Sequence, residues 1–94
     1  MKKNGFKVTI ERLDTQAADQ DVISFETYNH DDLIALSKRI NATSDEELSR
    51  LIGVKLFGEA MLDDRKNPLY EEIFPAFKNF MKRFKESAAV TASS

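Results

Sequence analysis

Cysteine is absent from this chain, which excludes a disulfide, a thiolate nucleophile and Cys-ligated zinc at one stroke. Histidine occurs once, as His30, so a transition-metal site that draws on nitrogen or sulfur ligands has little to work with. Three glycines are too few for a phosphate-cradling loop, and neither G-x-S-x-G nor H-E-x-x-H occurs. No apolar run approaches the roughly 18 residues of a membrane span. The two lysines near the start have no apolar segment behind them, so the opening is not read as a secretory signal. A cytoplasmic address is the resulting expectation.

What is present suits one small globular domain of 94 residues. The chain is 41% hydrophobic and 32% charged, enough of each for a modest core under a solvated surface. A net charge of -2 argues against a general binder of nucleic acid or anionic membrane. Residues 1–86 are read as a single α+β domain and residues 87–94, small and mostly polar, as a flexible tail.

Phe6, Val8 and Ile10 alternate with Lys7, Thr9 and Glu11, the pattern of a half-buried strand that ends near Leu13. Asp14 to Asp21 reads as a loop. Val22–Tyr28 is a second strand, with Ile23, Phe25 and Thr27 on one face and Val22, Ser24, Glu26 and Tyr28 on the other. Paired antiparallel, the two strands put Phe6, Val8, Ile10, Ile23 and Phe25 on one side. Two strands alone are marginal in water, so the following helices are expected to support that side.

The period then changes. Leu33, Leu36 and Ile40 have helical spacing, with Asn29 or Asp31 as cap and a break at Asn41-Ala42-Thr43. Ser44-Asp45-Glu46-Glu47 is a capping box that opens a helix carrying Leu48, Leu51, Ile52, Leu56, Met61 and Leu62. Asn67-Pro68 restarts the chain as N-cap and first helical residue. Leu69, Ile73, Phe77, Phe80 and Phe84 form a stripe, and Pro75 inside it demands a short first helix or a kink. The fold expectation is α+β: an N-terminal antiparallel β-hairpin packed against three C-terminal helices. Most of the large apolar side chains, including five of the seven phenylalanines, lie between Leu48 and Lys85 and are assigned to the core.

The segments KVTIERLD, FETYNHDDLIAL and GVKLFGEAMLDDRKNPLYEEIFPAFKNFMKRFK together resemble a family of short bacterial proteins known as a domain of unknown function. The resemblance runs from Lys3 to Lys85 and is most specific over Lys55–Phe80. It implies an α+β fold and a bacterial cytoplasmic setting. It implies no activity, so no catalytic, cofactor or metal residue is carried over.

Three constellations compete with plainer readings. Glu26, His30 and Asp31 could bind a metal or serve as an acid–base pair, against the plainer view of a helix start rich in carboxylates. Glu59, Asp63 and Asp64 could act as paired carboxylates, against a solvated charge cluster at a helix end. Gly53 could be the turn of a degenerate helix-turn-helix, making a DNA-binding regulator, against one long helix through that residue. The acidic side chains of Lys55–Asp64 weigh against DNA, and Glu59 falls where an inward apolar residue would be expected.

Lys78, Lys82, Arg83 and Lys85 form a basic outer face on the last helix. Against it, Glu11, Asp14, Asp19, Asp21, Glu26, Asp31 and Asp32 face only Arg12 among residues 11–32. Such polarity can orient a partner or a second copy. The leading expectation is a non-enzymatic interaction module, binding a protein partner or itself. No cofactor, membrane contact or small-molecule substrate is expected, and nucleic acid is disfavoured. The open edges of a two-stranded hairpin carry that expectation, together with Val22 and Tyr28 on the face of the second strand away from Ile23 and Phe25, which a dimer could cover.

Overall fold

The computed structural model describes residues 2–13 and 21–93, with the side chains of the last helix described up to residue 87. The expected loop between the strands lies, but for Asp21, outside the described residues. The order is β1 (Asn4–Glu11), β2 (Val22–Asn29), α1 (Leu33–Arg39), α2 (Asp45–Asp63), a 3-10 turn (Pro68–Tyr70) and α3 (Ile73–Ser93). An antiparallel hairpin followed by three helices makes the chain α+β. It divides into two compact units, Met1–Asp31 and Asp32–Ser94.

The first unit is built by alternation. β1 and β2 pair antiparallel with Phe6 opposite Thr27, Val8 opposite Phe25 and Ile10 opposite Ile23. That register gathers the apolar residues of both strands on one face, as their spacing requires. The other face pairs Gly5 with Tyr28, Lys7 with Glu26, Thr9 with Ser24 and Glu11 with Val22. The Thr9 and Ser24 hydroxyls lie 3.4 Å apart, and Arg12 and Asp21 form a 3.6 Å ion pair just beyond the strands. Gly5 leaves room for its neighbour: a Cβ there would sit 3.0 Å from Tyr28 Cε1, so a side chain at this position would make the tyrosine ring shift.

The second unit is built by caps. The cap of α1 is Asp32, whose carboxylate accepts from the Ala35 amide at 3.1 Å; neither Asn29 nor Asp31 holds that place. Asp32 immediately precedes the first helical residue, the one position from which a short side chain reaches the third amide. Asn41, at φ 56°, ends α1 in the left-handed conformation that asparagine tolerates. The Ala42 amide donates back to the Ser37 carbonyl and the Asn41 amide to the Lys38 carbonyl, the Schellman pair of bonds. The Ser44 capping box forms in full: the Glu47 amide donates to Ser44 Oγ at 3.1 Å, and the Ser44 amide donates to Glu47 Oε1 at 3.3 Å.

α2 runs unbroken through Gly53. Asn67 caps the 3-10 turn through the Leu69 amide, with Pro68 at its first position. Pro75 then falls in the first turn of α3, where a missing N–H costs no helical bond. Of the two outcomes that Pro75 allowed, the short first helix is the one that forms.

The core departs from expectation. The buried apolar residues are Leu33, Ala42, Leu51 and Met61. None of the seven phenylalanines is buried: Phe25, Phe57 and Phe80 are exposed and the others half-buried. Phe57 meets Tyr70 and Phe77 edge-on at 6.0 and 5.6 Å, Phe77 meets Phe80 at 6.5 Å, and Phe80 stacks on Phe84 at 6.1 Å. Rings at these separations shield one another as a ladder and still keep an edge in water. Leu69, expected on the same stripe, is 74% exposed because it sits in the 3-10 turn, off the axis of α3.

Candidate functional site

The turn after β2 holds the only histidine. Asn29, the last residue of β2, is buried, and its Oδ1 accepts from the Asp31 amide at 3.0 Å. Its carbonyl accepts from Asn4 Nδ2 at 3.4 Å, tying the turn to the start of β1. This Asx turn aims His30 outward. His30 Nε2 lies 3.6 Å from Asp31 Oδ2, with His30 exposed and Asp31 half-buried. Glu26 is exposed on β2, where Lys7 of β1 faces it. Among the described residues no group of three or more His, Asp or Glu is arranged to hold a metal ion. The turn therefore presents an exposed imidazole beside a half-buried carboxylate, and its buried member, Asn29, serves the backbone.

Glu59 belongs elsewhere than expected. Asp63 and Asp64 are exposed at the end of α2, and Asp64 Oδ2 accepts from Asn67 Nδ2 at 2.8 Å. Glu59 is buried, at 6% exposure, so it is not part of a solvated cluster with them. It lies two turns beyond the fully buried Leu51, and 3.6-residue periodicity carries its side chain inward with that leucine.

The helix-turn-helix reading is overturned at Gly53. α2 continues from Asp45 to Asp63, so residues 55–63 share one axis with residues 45–52 and no second helix starts after the glycine. A Cβ on Gly53 would meet nothing within 4 Å. Gly58 is the glycine that permits a close approach: a Cβ there would lie 3.3 Å from Phe77 Cε1 of α3.

The basic face of α3 is exposed at Lys78, Lys82, Arg83 and Lys85. Part of it is held on an aromatic ring. Arg65 and Lys78 each place their cationic group 5.9 Å from the centre of Phe74, within cation–π range. No described helix is long and apolar enough to cross a membrane.

The most exposed apolar surface of the first unit is the hairpin face. Ile10 is 55% exposed, Ile23 62% and Phe25 44%, while Phe6 and Val8 are half-buried. The sheet has two strands, so among the described residues each strand carries one edge of backbone amides and carbonyls that no other strand pairs. Sequence spacing identified which residues share this face, but it assigned them to support by the helices, and Ile10, Ile23 and Phe25 are exposed. The hairpin's register was needed to show how the charges lie along its edge.

The chain is similar to a protein of unknown function from Pectobacterium atrosepticum whose crystal structure is solved: the two share 34% identity and a TM-score of 0.76, over 90% of this chain and 99% of the other. No curated protein matches the chain. The model of DUF3861, a domain of unknown function with a solved structure, matches residues 4–86, and the chain belongs to that family.

Proposed function

We propose that this protein is a small, non-enzymatic, self-associating interaction module of the bacterial cytoplasm. The reading rests on one observation. Three of the five apolar residues on one face of the hairpin (Ile10, Ile23 and Phe25) are each exposed by more than two fifths, on a sheet with two open edges. Burying such side chains gains roughly 25 cal/mol per Å2 of apolar surface, and an unpaired edge offers a row of directed hydrogen bonds to whatever covers it. A second copy supplies both, because it carries the same face and the same edges. The bacterial setting agrees with the Pectobacterium relative.

Light scattering after size exclusion at micromolar concentration tests the reading. The expected species has about twice the 10.7 kDa of one chain. A strictly monomeric result at high concentration overturns it.

A further inference from the structure

We infer that two copies join through β1, edge to edge and antiparallel, about a two-fold axis at Thr9; this rests on the self-association proposed above. The inference comes from the order of charges along the strand. A two-fold axis through position 9 sets Lys7 against Glu11 of the second copy, Val8 against its Ile10, and Thr9 against its own counterpart. Both charge pairs are then of opposite sign, and both apolar pairs fall on the apolar face. Moving the axis by one residue to either side removes the two charge pairs. Axes at Lys7 or at Glu11 set like charges together.

Edge strands are often protected by charge, and Lys7 and Glu11 must be weighed against that reading. Protection works where pairing would bury a charge or set it against its like. Lys7 and Glu11 are of opposite sign and equally spaced about Thr9, so they attract in one register and specify it. Within its own sheet Glu11 stands opposite Val22, an apolar residue, whereas Lys7 stands opposite Glu26. The second copy gives Glu11 the cross-strand cation that β2 does not.

The β2 edge has no such complement. Its one charged residue is Glu26, so every self-pairing within that strand offers either no charge contact or two carboxylates together. Joining at β1 makes a four-stranded sheet in the order β2-β1-β1-β2. Its apolar face runs continuously through Phe6, Val8 and Ile10 of both copies, flanked by Ile23 and Phe25.

The natural absence of cysteine makes the test clean. Directly opposed residues of antiparallel strands have Cα atoms about 4.5–5.5 Å apart, within the span a disulfide bridges. Full-length Thr9→Cys is expected to form a covalent dimer on mild oxidation, and Ser24→Cys on β2 is expected to remain uncrosslinked. Lys7→Glu and Glu11→Lys, each confirmed folded by circular dichroism, are expected to weaken the homodimer by about tenfold. Mixed together they restore association as a heterodimer, since each then meets its opposite charge.

A wild-type chain that stays monomeric overturns both this inference and the self-association beneath it. A wild-type dimer that Thr9→Cys does not crosslink, and that neither charge variant weakens, keeps self-association and overturns the β1 register. Crosslinking through Ser24→Cys instead moves the interface to the other edge and overturns it as well.

Discussion

Both units of this chain expose apolar side chains, but only the helical one also buries some. In the helical unit Leu33, Leu51 and Met61 are at most 4% exposed. In the hairpin none of the apolar residues is buried, and Ile10, Ile23 and Phe25 stand largely in water. The difference follows from shape. Helices joined by tight caps can close around a side chain from several directions, whereas two strands make a surface and no interior. An apolar surface without an interior is a place for something else to bind.

Substitutions on either side of this contrast should behave differently. Leu51→Ala removes a fully buried side chain from the helical unit and should cost about 2–5 kcal/mol, read from the urea midpoint by circular dichroism. Ile23→Ala, at a far more exposed position, should change the unfolding free energy of the dilute chain by less than about 1 kcal/mol. Its effect should appear instead as weaker self-association. If Ile23→Ala destabilises the dilute monomer as much as Leu51→Ala does, the contrast between the units fails.

The caps give the next largest effect. Ser44→Ala should cost about 1 kcal/mol by leaving the Glu47 amide without its acceptor. The box also has a pH signature. Hydrogen bonds from the Ser44 hydroxyl, and then from its amide, hold the Glu47 carboxyl below the ordinary carboxylate value. A depressed folded-state value means that this contribution is fully present above the unfolded-state value and is lost as pH falls through the folded one. Glu47→Gln should therefore flatten the acid side of the stability profile, measured as urea midpoints from about pH 3 to pH 6. An unchanged acid limb would show that the box does not hold in solution.

The smallest effect separates two glycines of one helix. Gly53→Ala should stabilise by up to about 1 kcal/mol, because a methyl group there meets nothing and Ala favours the helix. Gly58→Ala should gain less or lose, since its methyl group presses on Phe77. Equal gains at both positions would contradict the close approach of α3 at Gly58.

Local signals were the legible part of the fold. The period-two alternation of Phe6–Ile10 and the Ser44–Glu47 box each depend on neighbours within a few residues, so both could be read directly. Gly53 could not be decided that way, because an exposed glycine inside a helix and a turn glycine look alike until the helix on either side is seen to share an axis. Burial was harder still. The phenylalanines carry the largest apolar side chains, yet they pack as a half-exposed ladder while Leu51 and Met61 fill the interior. Glu59 was legible in part: its spacing put it where an inward apolar residue would be expected, and it is buried, while its charge suggested a solvated cluster. At the candidate site, the His30–Asp31 pair follows from adjacency. The burial of Asn29 does not, because no local pattern marks a polar residue at a strand end as buried.

The central claim is that the hairpin is where two copies meet, and amide hydrogen exchange along β1, followed as a function of protein concentration, tests it most directly. The account predicts that amides of Lys7 to Glu11 on the open edge exchange at least about tenfold more slowly in concentrated than in dilute protein, with the buried turn of α2 around Leu51 unchanged. β1 exchange that is the same at every concentration, in a chain that still dimerises, would contradict it.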